Sequence, residues 1–117
     1  MQYLLLIYSN EAEEAAMKPA LIASIMAEYT EFTKSIVQSG QFKAADRLRP
    51  TSAATTVRVR NGQVATADGP FAETREQLGG YYLVDAKNLD EAIAIAARIP
   101  SAKSGSIEVR PIWPHQA

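Results

Sequence analysis

Two runs of the chain are apolar on both alternating faces, and they constrain the fold more than any other feature. The first is Gln2 to Tyr8, QYLLLIY, and the second is Leu78 to Ala86, LGGYYLVDA. Successive side chains of a strand point to opposite faces, so a strand with one wet face alternates apolar with polar. A run that is apolar at nearly every position is expected to be covered on both sides, in the middle of a sheet. Gly79 and Gly80 lie in the second run. With no side chains there, another backbone or a ligand can approach closely.

Helices flank these strands. Ser9 to Lys18 is polar and alanine-rich, a connection or a short turn of helix. Pro19 suits the first position of a longer helix, where its missing N–H costs nothing. Ile22, Ile25, Tyr29, Phe32 and Ile36 then recur every three or four residues, one apolar stripe widened by Leu21, Met26 and Val37. Gly40 is a natural stop. Asn88-Leu89-Asp90-Glu91 has the form of a capping box. The helix it opens is expected to run to about Ile99, with Leu89, Ala92, Ile93, Ala96 and Ala97 inward, and to stop at Pro100. Ser106 to Trp113 alternates, Ile107 and Val109 against Glu108 and Arg110, and reads as a strand. Pro111 within it marks an edge or a strand end. The tail from Pro114 to Ala117 is expected to fray.

Asn61-Gly62 carries the strongest local signal. Asn-Gly between alternating runs predicts a two-residue hairpin turn, since both turn residues must take positive φ. Without a bulge the pairs are Arg60–Gln63, Val59–Val64, Arg58–Ala65, Val57–Thr66, Thr56–Ala67 and Thr55–Asp68. Thr55, Val57, Val59, Val64, Thr66 and Asp68 then share one face, with Arg58, Arg60 and Gln63 on the other. A single bulge would reverse this. Asp68-Gly69-Pro70 follows as a turn, and Glu73 to Gln77, ETREQ, reads as a charged stretch of about one helical turn.

The element order β-α-β-hairpin-β-α-β describes an α+β chain, a ferredoxin-like split βαβ with an inserted β-hairpin. A length of 117 residues fits one domain. Two helices cover one sheet face, yet the central strands are apolar on both. The second face is therefore expected to be buried by another copy of the chain, as a homodimer.

Composition excludes several classes. Twelve Lys and Arg against thirteen Asp and Glu leave a net charge of −1, no electrostatic case for nucleic acid or an anionic membrane. No cysteine is present, which removes disulfides, thiolate metal sites and cysteine nucleophiles. The six apolar residues from Tyr3 to Tyr8 are too few to span a bilayer and lack a signal peptide's basic flank. A cytoplasmic protein without cofactor or bound metal is the expectation. His115 stands alone in the tail, Gly69, Gly79 and Gly80 form no phosphate-binding fingerprint, and Trp113 reads as a packing residue.

The chain's best candidate for chemistry is Asp68. A carboxylate on a partly apolar face has its pKa raised by desolvation unless a cation or N–H donors offset it, which suits a general acid or base. The alternative is a turn Asp that caps the N–H groups before Pro70. Candidate partners are Arg47 and Arg49 as anion binders, Tyr81 and Tyr82 through their hydroxyls, and Thr55 across the hairpin. Arg47 and Arg49 flanking Leu48, with Pro50 after them, equally describe a solvated edge strand.

Taken together, MQYLLLIY, ATTVRVRNGQVATADGPFAETREQLGGYYLVD, LDEAIAIAARIP and IEVRPI resemble the YCII-related group, and within it the DGPF branch named for Asp68 to Phe71. The resemblance covers nearly the whole chain. It implies a dimeric α/β barrel, two ferredoxin-like units packed sheet to sheet, with a cleft near Asp68 as the proposed site. Gly69, Pro70 and Phe71, the rest of the motif, join the candidate binding set on that ground. The resemblance also implies a possible enzyme acting on a small organic molecule, or a non-catalytic, ligand-binding or regulatory protein linked to extracytoplasmic-function sigma factors. Shorter relatives carry a His beside the Asp. This chain has only His115, so any acid/base role would rest on Asp68 alone.

Overall fold

The computed structural model describes residues 1–114; His115 and the tail beyond Pro114 lie outside the described residues. In chain order the elements are β1 (Gln2–Ser9), α1 (Glu11–Ala15), α2 (Pro19–Gln38), β2 (Phe42–Arg47), β3 (Thr55–Arg60), β4 (Gln63–Asp68), β5 (Gln77–Asp85), α3 (Leu89–Ala97) and β6 (Ser106–Pro111). Four strands form one antiparallel sheet in the order β2-β5-β1-β6. This is the ferredoxin-like α+β arrangement. The two doubly apolar runs, β1 and β5, are the central strands. β6, which ends at Pro111, forms one edge and β2 the other.

One face of the sheet carries the core. Tyr3, Leu5 and Ile7 of β1 with Tyr82 and Val84 of β5 pack against Phe32 and Ile36 of α2 and Ala92, Ile95 and Ala96 of α3. Phe32 meets Tyr82 edge-on, ring centroids 5.1 Å apart, the geometry favoured by ring quadrupoles. The register pairs Leu4 with Leu83, Leu6 with Tyr81 and Tyr8 with Leu78. Directly opposed residues share a face, so these half-buried side chains form the opposite face, which no helix covers.

Four local expectations need correction. Trp113, expected to pack, is 92% exposed. In α3 the inward residues are Ala92, Ile95 and Ala96, with Ile99 just past its end, whereas Leu89 and Ile93 are exposed. Ala92 and Ala96 fit either phase of the helix. The short turn Pro100–Lys103 decides the phase by seating Ile99 and Pro100 against the core. In α2 only Phe32 and Ile36 of the predicted stripe are buried. A 20-residue helix is about 30 Å long, and its N-terminal half runs beyond the packed centre of the sheet. Finally, Glu73–Glu76 is not helical. The side chains of Thr74 and Gln77 bond nearby backbone carbonyls there, a local alternative to helix. The capping box is half made: Asn88 Oδ1 accepts from the Glu91 N–H at 3.0 Å. The Glu91 carboxylate accepts instead from Gln41 Nε2, at 3.0 Å, and from the Lys87 N–H.

The hairpin has all six expected pairs and no bulge. Asn61 and Gly62 take φ of +53° and +75°, as the two-residue turn requires. β3 and β4 nonetheless form a separate two-stranded sheet. Their apolar face is bare within one chain, with Val57, Val59 and Val64 each more than half exposed.

Candidate functional site

A cavity of about 660 Å³ opens between the sheet, α1 and the N-terminal half of α2, within the ~300–1,000 Å³ usual for small-molecule sites. It exists because α2 overhangs the core. Leu21, Ile22, Ile25 and Met26 of the overhang line the cavity, all but Ile25 exposed. On the sheet side, Ile7, Gly80 and Arg47 lie in one cross-strand row, and Ala45 pairs with Tyr82 in the next. Gly80 keeps that floor low. A Cβ there would stand 2.9 Å from the Asp46 carbonyl oxygen, so the backbone approach anticipated at the glycine pair occurs at Gly80.

The polar groups sit around this apolar space. The Tyr29 hydroxyl and Ser101 Oγ are 2.6 Å apart. The Tyr82 hydroxyl and Thr33 Oγ1 are also 2.6 Å apart. Ser9 donates to the Glu14 carboxylate. Arg47, at the rim, has no salt bridge among the described residues. Tyr81 donates to Asp46 Oδ2 at 2.6 Å. Both border the cavity, although alternation puts their side chains on the sheet's other face. Among the described residues no group of three His, Cys, Asp or Glu side chains is gathered to hold a metal ion. No helix there is long and apolar enough to cross a membrane.

Two tyrosines ionise above the ordinary value of 10.0. Burial is the main cause at Tyr29, partly offset by its bond to Ser101, while Tyr82 and Glu14 push the same way as burial. At Tyr81 the bond to Asp46 comes first. Because Tyr29 is raised in the folded state, its contribution to stability is full at neutral pH and is lost as pH climbs past the folded value. Alkaline titration followed by ultraviolet absorbance is expected to include a late phase from Tyr29, which Tyr29→Phe should remove. A titration unchanged in Tyr29→Phe would place the delay elsewhere.

Of the residues named from sequence, Arg47, Tyr81 and Tyr82 border the cavity; Arg49, Thr55, Asp68, Gly69, Pro70 and Phe71 do not. Asp68 ends β4 on the hairpin, exposed. Its predicted face and pairing with Thr55 are as expected, but no burial accompanies them within one chain. Gly69 takes φ +94°, its N–H bonds the Ala54 carbonyl at 2.7 Å, and its own carbonyl accepts from Thr56 Oγ1 at 2.8 Å. These bonds tie the motif turn to the hairpin base. Phe71 is 81% exposed. Tyr29, Glu14 and Ser101 were not singled out. Tyr29 belongs to the apolar stripe of α2, while Glu14 on α1 and Ser101 in the Pro100–Lys103 turn carry no sequence signal.

The YCII-related domain matches this chain over residues 1–116. The chain belongs to the YCII-related family. A protein of Rhizobium meliloti (strain 1021), described as uncharacterized, is 39% identical to this YCII-related chain over 114 residues, 96% of this chain and 92% of the relative. The matched range takes in the residues of cavity and hairpin alike.

Proposed function

We propose that this YCII-related protein binds a small organic molecule in the cavity between α1, α2 and the sheet. The observation that carries this reading is a concave apolar space of about 660 Å³, with a few hydroxyl and charged groups at its margin. Apolar walls supply affinity by burying ligand surface, and sparse polar groups fix orientation. Arg47 is suited to an acidic group of the ligand, and the Tyr29–Ser101 pair can donate or accept a hydrogen bond.

Anilinonaphthalene sulfonate, an apolar ring system with one anionic group, is a direct probe. Its fluorescence is expected to rise saturably with one site per chain. Ile25→Trp, which fills the cavity, should weaken that binding at least tenfold. Equal binding by Ile25→Trp would move the site elsewhere. Asp68→Asn is expected to bind as the parent does. Acid/base chemistry by Asp68, the narrower reading suggested by the DGPF motif, requires that variant to bind and yet to lose any turnover found.

The same reading includes a homodimer. Leu4, Leu6, Leu78 and Leu83 lie on a sheet face that no helix covers, and burial of such a face by a second copy is the commonest solution. Light scattering at micromolar concentration should give twice the chain mass of 12.7 kDa.

A further inference from the structure

We infer that the β3–β4 hairpin is an arm that clasps a second copy of the chain, its Val57, Val59 and Val64 face packed on that copy. The inference rests on the homodimer just proposed and names the element that holds it.

Three observations carry it. The first is isolation. β3 and β4 pair with each other and, among the described residues, have no substantial packing against any other element. A lone two-stranded hairpin is marginal in water and needs a third strand or a packed face. Here its apolar face is the exposed one: Val57 60%, Val59 57% and Val64 71%.

The second is surface. The chain exposes 8472 Å², whereas a compact monomer of 12.7 kDa exposes about 6,200 Å². Its radius of gyration is 16.4 Å, against about 13 Å for a compact domain of this length. The excess of about 2,200 Å² per chain is of the size that an obligate dimer removes, since such interfaces bury in total ~2,000–5,000 Å². A ligand in the cavity does not reach the arm.

The third is the division of faces. Val57, Val59 and Val64 share one face of the hairpin, while Arg58 and Arg60 lie on the other, so the arm can pack its apolar side without taking either guanidinium out of water. Within a two-fold pair each copy both gives and receives an arm, so the contact closes on itself.

The test is Val59→Lys/Val64→Glu. These residues are directly paired across the hairpin, so opposite charges there preserve strand pairing while removing the apolar face. In light scattering over a concentration series, the parent should be dimeric and the variant should dissociate at least tenfold more readily, with an unchanged far-ultraviolet circular dichroism spectrum. In parallel, hydrogen exchange on the parent should show amides of residues 55–68 protected when concentrated and faster on dilution. This second measurement decides the matter if the variant fails to fold. A variant that dimerises as tightly as the parent, or arm amides that exchange at a rate independent of concentration, overturns the arm and leaves a dimer held by the open sheet face. A parent that is monomeric throughout overturns both.

Discussion

Leu5→Ala should lower the unfolding free energy by about 3–5 kcal/mol, the upper part of the range for truncating a buried leucine. Leu5 is wholly buried and sits on the middle strand, paired with Tyr82 on one side and Val109 on the other. β5 is fixed by a second ladder to β2, and β6 packs against α3 and the Pro100–Lys103 turn, so the site has little room to collapse and the cavity left behind stays open. Single domains are stable by only ~5–15 kcal/mol, so the loss is a large part of the whole. Urea unfolding at one fixed protein concentration would measure it. A shift below 1 kcal/mol would mean that β1 is not at the centre of the core.

The second large effect is expected at Gly105. It lies just before β6, and a Cβ there would fall 2.2 Å from the Tyr8 carbonyl oxygen and 3.3 Å from Ser9 Cα. Both are backbone atoms of β1, which cannot swing aside as a flexible side chain would. Gly105 also donates its N–H to the Ser101 carbonyl at 2.7 Å, so moving it away from β1 strains the Pro100–Lys103 turn. Gly105→Ala should cost about 3 kcal/mol, the upper end for overpacking. Gly40→Ala is its counterpart: nothing lies within 4 Å of that Cβ, and its only burden is a φ of +79°. Equal midpoints for the two variants would refute the close approach.

The fold was legible where the sequence stated a burial pattern. Doubly apolar β1 and β5 had to be central, and Asn61-Gly62 with alternating flanks determined a register of six pairs. It was less legible where residues were small or the pattern incomplete. Alanine packs on either side of a helix, so the phase of α3 was decided by Ile95 and Ile99 meeting the sheet. The candidate site was legible in part. Arg47 and Tyr82 border the cavity from one face of the sheet, because the cross-strand register sets them in neighbouring rows, whereas the Tyr81 side chain lies on the other face. Tyr29 was read as packing because helical periodicity reports which face turns inward and not how far the sheet extends beneath it. The motif at Asp68 marked a conformation, a turn with Gly69 at positive φ, more plainly than it marked a place in the cavity.

The short helix α1 buries no side chain. It is held by polar clips: Glu11 accepts from the Thr51 N–H and hydroxyl, each at 2.8 Å, and the Glu11 N–H donates to Gln77 Oε1 at 3.0 Å. Its N-cap Asn10 and its own Glu13 and Glu14 form part of the cavity wall. For the ligand binding proposed above, displacing α1 would break a few water-replaceable bonds and leave the hydrocarbon interior packed. Entry rate and thermal endurance would then be governed by different atoms and be open to independent tuning.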